Sequence, residues 1–159
     1  MRISKYNLEM DNNGLNTLVK ETSSNYPQLE NVNSPLKIVQ MCNDIFHLNK
    51  LSDEHCYLIA LSSKCKPIGI FGLSHGSINA CICQTREIFA RLLLCNCSQF
   101  VIVHNHPSGN AEPSEDDIRN YHKLCDAGKL MCLPCMDSII IGGYEYCSLY
   151  EREKEVKEK

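Results

Sequence analysis

The sequence lacks the long apolar run that a membrane-spanning helix needs. No hydrophobic stretch approaches the roughly 18 consecutive apolar residues of such a span. The opening residues, MRISKYNLEMDNNG, have no apolar core of the signal-peptide kind. These absences predict a protein that is neither inserted in a membrane nor exported, and we expect it in the cytoplasm.

The sequence also lacks an excess of basic residues. The 16 Lys and Arg residues are outnumbered by 19 Asp and Glu residues, which gives a net charge of −3. Proteins that bind nucleic acid through its phosphates usually show the opposite balance, with basic residues gathered on one surface. The charge therefore gives no indication of nucleic-acid binding.

The 11 cysteines match neither a disulfide framework nor a zinc finger. Their number is odd and no signal peptide precedes them, which argues against a secreted, disulfide-bonded fold. Several, such as Cys56 and Cys95, lie in apolar patterns where a reduced cysteine acts as a small buried hydrophobe. The pair Cys132 and Cys135 has no second Cys-x-x-Cys at finger spacing, so a structural zinc there is the minor alternative.

Length and composition are those of one globular domain with its own core, since the chain has 159 residues and is 43% hydrophobic. Residues 1–33 are rich in Asn and Ser, and we expect a loosely structured extension or short strands there. Residues 34–150 contain the compact domain. Residues 151–159, EREKEVKEK, mix acids with bases and predict a solvated, partly helical tail.

Within the compact part, the periodicity predicts helix, two strands, helix, strand, helix and two strands, an α/β layered order. Ser34 followed by Pro35 is typical of a helix start. A turn near Lys64 separates the first two strands, and Thr85 can cap the second helix. The segment GSINAC, which ends at Cys81, is typical of a loop.

The second half of the domain contains the strongest strand pattern. SQFVIVH is short, β-branched and apolar on both faces, which suits a central strand. A helix is predicted from about residue 115 to 127, ending at Gly128. Gly142 and Gly143 separate the last two strands.

The end of that central strand carries the most informative residues. His104 and His106 project to the same face because strand side chains alternate, and this edge of an open α/β sheet usually holds the site. After a turn at 107–109, Ser114 opens a helix with Asp117 in its first turn. Two imidazoles and one carboxylate, with a fourth position for water, form a catalytic zinc arrangement.

A structural interpretation of the same residues also exists. Ser114-x-x-Asp117 resembles a capping box, and helix starts favour Asp because of the helix dipole. A capping box does not need two histidines upstream, which favours the metal site. The other single histidines are expected to be surface or hydrogen-bonded residues, with His75 the best placed to lie near the site.

The spacing His104-x-His106, seven residues, Ser114, two residues, Asp117 matches the metal motif of the JAMM (MPN, JAB) metalloproteases. The fuller string HNHPSG…PS..D resembles the RadC-like branch of that family. Further segments fall in the family's order and spacing: SPLKIVQMC, LSDEHCYLIALSSKCKPIG, TREIFARLLLCNCSQFVIVHNHPSG and AGKLMCLPCMDSIIIGG. The resemblance covers about residues 34 to 150. It implies a single α/β domain of the JAB/MPN, cytidine-deaminase-like type, with a mixed sheet flanked by helices.

The resemblance also implies the roles of individual residues. His104, His106 and Asp117 would bind Zn²⁺, and Glu54 would take a proton from the zinc-bound water and pass it to the leaving amine. Ser114 would donate a hydrogen bond to the oxyanion.

The choice of Glu54 depends on the resemblance alone. The residues by themselves do not favour Glu54 over Glu87 or Glu112. Two sites also depart from the family's common pattern: Gln84-Thr85 stand where His-Pro is frequent, and Ser138 stands where a histidine is frequent. None of these is an expected ligand, so the departures predict altered substrate contacts.

The expected function is that of a zinc metalloprotease or isopeptidase acting on a peptide or protein substrate. One alternative is a non-catalytic MPN-type interaction module, although such modules usually lose metal ligands. Another is a DNA-repair accessory protein, for which the family association is the only support. A nucleobase deaminase would need His-x-Glu and Pro-Cys-x-x-Cys, and this chain has neither. A homodimer also remains an alternative.

Overall fold

The computed structural model describes residues 1–76 and 84–158, and in these ranges the chain forms one mixed sheet with helices on both faces. The expected loop containing Cys81 and the neighbouring Cys83 lies outside the described residues. The elements are β1 (Arg2–Met10), β2 (Asn16–Asn25), α1 (Pro35–Phe46), a 3₁₀ turn (Leu48–Lys50), β3 (Glu54–Leu61), β4 (Pro67–Gly76), α2 (Thr85–Leu94), β5 (Gln99–Asn105), α3 (Glu115–Leu130), β6 (Cys135–Gly142), β7 (Glu145–Ser148) and α4 (Leu149–Lys157).

The described sheet has seven strands in the order β2-β1-β4-β3-β5-β6-β7. β5 is parallel to β6 and β1 is parallel to β4, whereas the remaining neighbours are antiparallel. The predicted mixed sheet flanked by helices is therefore confirmed. No helix in the described ranges combines the length and apolar character of a membrane span.

β5 contributes to two separate hydrophobic cores because its side chains alternate between the faces of the sheet. Val101 and Val103 pack in the core beneath α1. Phe100 and Ile102 pack in the core beneath α2 and α3. This arrangement confirms the prediction of a central strand that is apolar on both sides.

Residues 1–33 contain a long β-hairpin. β1 has 9 residues and β2 has 10, so these strands are longer than the short ones expected from the sequence. β1 pairs in parallel with β4 at Lys5 and Ile70, and Ile3 is buried in the core beneath α1. The Asn- and Ser-rich composition suits β2 because nearly all of its side chains face solvent at the edge of the sheet.

The predicted start of α1 is confirmed, since the Ser34 side chain accepts a hydrogen bond from the backbone of Lys37. The predicted end of the third helix at Gly128 is wrong, because α3 continues to Leu130. Gly128 is needed for a close approach inside the helix: a Cβ there would lie 2.6 Å from the Leu133 carbonyl oxygen. The prediction that Thr85 caps the second helix is also wrong, because Gln84 is the N-cap and Thr85 is the first helical residue of α2.

A buried carboxylate anchors the C-terminal helix to the sheet. Asp137 of β6 accepts hydrogen bonds from the Ser148 hydroxyl at 2.6 Å and from the Tyr150 backbone at 3.0 Å, which fixes the start of α4. Burial raises the pKa of Asp137 to about 6, although these hydrogen bonds act in the opposite direction.

This raised pKa predicts a pH-dependent difference between the wild type and Asp137→Asn. Between pH values of about 4 and 6 the folded state binds this proton more tightly than the unfolded state. The contribution of Asp137 is therefore fully present below about pH 4 and is lost as the pH rises through about 6. Relative to the variant, the wild type should lose up to about 3 kcal/mol of unfolding free energy from pH 4 to 7, measured by urea unfolding. A constant difference across this range would contradict the prediction.

Candidate metal centre

β5 and the residue after it place two imidazoles side by side. The Nε2 atoms of His104 and His106 lie 3.2 Å apart. His104 is buried, with 5% of its surface exposed. The His106 backbone donates to the Ile141 carbonyl at 2.9 Å, so pairing with β6 continues past the end of β5. The predicted same-face arrangement thus occurs at the carboxyl end of a central strand.

The loop after His106 determines which ring nitrogen faces the site. His106 Nδ1 lies 2.9 Å from the Asn110 carbonyl oxygen, and a carbonyl can only accept a hydrogen bond, so Nδ1 carries the proton. In the neutral ring Nε2 then keeps a lone pair for a metal ion. The loop packs closely on β6: a Cβ at Gly142 would lie 2.4 Å from the Ala111 nitrogen, so only glycine fits there.

Asp117 acts as a helix cap and also faces the imidazoles. Its Oδ2 accepts from the Ser114 backbone at 2.8 Å and from the Ser114 hydroxyl at 2.6 Å. Its Oδ1 lies 3.2 Å from His104 Nε2. One carboxylate oxygen therefore completes the capping box, which confirms the structural interpretation, while the other faces His104, and the ligand role of Asp117 stays a prediction.

Hydrogen bonds within the site shift the pKa values of two of its residues. Burial raises the pKa of Asp117, but hydrogen bonds from His104, His106 and Ser114 outweigh burial and hold this pKa well below its usual range. The hydrogen bond to Asp117 raises the pKa of His106 against the opposing effect of burial. The site thus favours positive charge next to the Asp117 carboxylate.

Glu54 joins the two histidines at the start of β3. Ligand atoms of Glu54, His104 and His106 all lie within 4.8 Å of one another. Glu54 is only 6% exposed. Its Oε2 is the one buried side-chain nitrogen or oxygen in the described ranges without a hydrogen-bond partner. An unpartnered buried carboxylate oxygen is costly unless a cation or a transferable proton is near, and this observation fits a metal site.

Glu87 and Glu112, the two alternatives to Glu54 in the sequence, lie away from the two histidines. Glu112 is exposed and forms a 2.7 Å ion pair with Arg152. Glu87 is exposed in the first turn of α2. The fold therefore brings Glu54 to the histidines and leaves Glu87 and Glu112 outside the site.

Asn105, which is not among the residues predicted from the sequence, holds the backbone on both sides of Glu54. Its amide donates to the Asp53 carbonyl at 3.1 Å, and its oxygen accepts from the His55 backbone at 2.8 Å. Asn105 is 2% exposed and lies on the face of β5 opposite His104. A polar residue that follows Val101 and Val103 on the same face of the strand was the available signal.

The two serines of the motif bond locally. The Ser114 hydroxyl accepts from the Asp117 backbone at 3.2 Å and donates to the Asp117 carboxylate, so its proton points towards Asp117. The Ser108 hydroxyl accepts from the Asn110 backbone at 3.4 Å, as expected of a turn residue.

The described side chains of Cys132, Cys135 and His122 do not belong to this cluster. Among described residues, neither Cys132 nor Cys135 belongs to a group of three potential metal ligands. His122 is exposed and pairs with Glu153 on the surface. His75 lies in β4 opposite His55, but its side chain is outside the described part of the structure.

The chain is similar to one family model and to many bacterial and archaeal proteins. The model described as RadC-like JAB domain matches residues 32–156. A UPF0758 protein of Desulfitobacterium hafniense is 35% identical over 121 residues, which are 76% of this chain and 52% of the relative. One from Alkaliphilus metalliredigens is 41% identical over 102 residues, 64% of this chain and 44% of the relative. One from Methanococcoides burtonii is 34% identical over 122 residues, 74% of this chain and 53% of the relative.

These comparisons confirm the resemblance and the fold class predicted from the sequence. The chain spans about half the length of the curated relatives it matches. The matched range includes every residue of the candidate metal centre.

Replacing a histidine of the site should abolish metal binding. We expect about one zinc per chain in the wild type after equilibration with zinc and gel filtration, and none in His106→Ala, since two ligands bind too weakly. His122→Ala is the matched control because it removes an exposed histidine and should keep the metal. Elemental analysis measures both, and zinc retained by His106→Ala would contradict this assignment.

Removing the Asn105 side chain should destabilise the start of β3. Asn105→Ala leaves the Asp53 carbonyl and the His55 amide without this partner, at a cost of about 1–3 kcal/mol for each group that stays buried. Asn43→Ala is the control, since Asn43 accepts one backbone hydrogen bond from Asn49, in half-buried surroundings. Urea unfolding should show a clearly larger loss for Asn105→Ala, and equal losses would contradict the role given to Asn105.

Proposed function

The chain belongs to the RadC-like JAB domain family, and from that premise we propose that it is a zinc-dependent hydrolase that cleaves a peptide or isopeptide bond. The main support is the convergence of four side chains. Glu54, with an unpartnered buried oxygen, lies beside His104 and His106, and Asp117 lies against the same imidazoles.

The donor set fits zinc. Two imidazole nitrogens and one carboxylate oxygen are the borderline ligands that Zn²⁺ accepts, and three protein ligands are typical of its catalytic sites. His104, His106 and Asp117 would hold the ion. When bound, zinc would supply a Lewis acid that lowers the pKa of water and polarises a carbonyl group.

Glu54 is the proposed general base and acid. Its Oε2 is buried and accepts no hydrogen bond, and one of its carboxylate oxygens lies within 4.8 Å of the imidazole nitrogens, so the carboxylate can take a proton from an attacking water. The same carboxyl can then give this proton to the departing amine, which must leave protonated. The carboxylate is held in place through the backbone, because Asn105 binds the residues on either side.

Ser114 is the proposed oxyanion donor. Its hydroxyl donates a hydrogen bond to the Asp117 carboxylate in the structure. The proposed role therefore requires the hydroxyl to rotate and donate to the substrate carbonyl instead. The Ser114 oxygen would still accept from the Asp117 backbone and keep the helix capped.

Catalysis is favoured over the alternative of a binding module. A surface that only binds a partner has no need of a buried carboxylate oxygen without a hydrogen bond, which lowers stability. Catalytic sites do need such a group as a proton acceptor.

The free thiols of the described cysteines support placing this activity in a reducing cytoplasm.

Glu54→Gln should inactivate the protein while leaving its metal bound. The amide keeps the size of the side chain but cannot accept and return the proton, so we expect a rate loss of about 10²- to 10⁴-fold. Cleavage of a mixture of fluorescence-quenched random peptides measures the rate, with elemental analysis for zinc.

The matched control is Glu112→Gln, which loses only the surface ion pair with Arg152. It should leave the rate unchanged. Full activity of Glu54→Gln would refute the proton-transfer role, and failure of the zinc-loaded wild type to cleave any peptide or isopeptide would refute the hydrolase proposal.

A further inference from the structure

β5 connects the candidate metal centre to an apolar surface on the same face of the sheet. Ile102 precedes His104 by two residues, so its side chain lies on that face about 6–7 Å away. Both residues line one continuous cavity of about 590 Å³, together with Glu54 and Asp117. The side chains that β5 contributes to the cavity therefore change from imidazole, at His104, to aliphatic, at its neighbour on the same face, Ile102.

Three other elements extend the apolar part of this cavity. Leu73 of β4, Ile88 of α2 and Leu124 of α3 line it beside Ile102. Ile88, Ile102 and Leu124 are buried in the core beneath α2 and α3, and Leu73 packs against that core. The volume lies within the range of small-ligand sites, roughly 300–1,000 Å³.

Exposed charged side chains form a rim on this cavity, and its buried lining also includes polar residues such as Ser138 and Tyr121. The charged residues Asp53, Asp116 and Lys123 line it as well, and all three are exposed. An apolar group that enters past this rim meets buried aliphatic side chains, and the rim charges keep their contact with water. The arrangement of apolar interior, polar rim and adjacent reactive groups is that of a site for one apolar side chain.

We propose that this apolar pocket, formed by Leu73, Ile88, Ile102 and Leu124, binds the side chain of the substrate residue next to the scissile bond. The preferred residue is of leucine or phenylalanine size. In an extended peptide, neighbouring residues are about 3.3 Å apart. When the substrate's scissile carbonyl lies beside His104, the side chain of the neighbouring substrate residue can therefore reach Ile102. The proposal rests on the proposed hydrolase function, whose substrate class it names.

Binding of blocked amino acids tests the pocket directly. N-acetyl-leucine amide and N-acetyl-glycine amide would be titrated into the full chain by NMR, with and without zinc. Burial of the leucyl side chain predicts roughly ten-fold or more tighter binding of the leucine compound. Equal affinities would overturn the proposal.

Filling the pocket should remove this preference. Ile88→Phe places extra volume in the cavity, and Leu93→Phe is the matched control on the same helix, at a position that is 56% exposed. Leu73→Phe is a second filling variant at a half-buried position that tolerates size better, for use if Ile88→Phe fails to fold. Loss of the leucine preference in a folded filling variant and its retention in Leu93→Phe are expected. The reverse pattern would overturn the proposal.

Cleavage separates this proposal from the proposed function. Quenched peptides that differ only by Leu or Gly beside the bond would be compared with the zinc-loaded wild type. Faster cleavage of the Leu peptide supports both proposals. Leucine-selective binding without cleavage of any peptide keeps the pocket and refutes the hydrolase, whereas cleavage at equal rates keeps the hydrolase and overturns the pocket.

Discussion

β5 lies between an antiparallel neighbour, β3, and a parallel neighbour, β6, and the candidate metal centre depends on both pairings. The β3 register places Cys56 opposite His104, which brings the start of β3, and with it Glu54, to the imidazoles. Pairing with β6 continues through His106 and holds the loop that orients its ring. Because β5 is buried on both faces, neither pairing can shift without disrupting two cores.

Buried polar residues with a structural role differ from the functional one in whether their polar atoms have hydrogen-bond partners. Asn105 and Asp137 are buried, and each has hydrogen-bond partners that connect two elements. Glu54 is equally buried, yet one of its oxygens has none. Native proteins satisfy nearly all buried polar atoms, so an exception beside two imidazoles indicates function. The two hydrophobic cores supply the stability that this exception lowers.

Two of the positions expected to depart from the RadC-like pattern lie in the cavity. Thr85 and Ser138 both line it, at the start of α2 and in the middle of β6. Neither lies among the four residues that converge at the site. The proposed metal ligands therefore match the RadC-like motif, and these two expected departures lie on the cavity that the proposed substrate would enter. The chain also spans about half the length of the curated relatives it matches.

The sequence by itself determined what depends on local geometry. His104, His106 and Asp117 lie within 14 residues of each other, and strand alternation with a capping box is enough to orient them. The central strand and the start of α1 follow from patterns of equally short range. Only the tertiary structure showed that Glu54, and neither Glu87 nor Glu112, lies beside the histidines. It also revealed that Asn105 connects β5 to β3 and that Gly128 is a packing contact. These contacts are made between residues far apart in the chain, such as His55 and Asn105, which are 50 residues apart. They depend on sheet register and on which surfaces approach one another, and no local pattern encodes either.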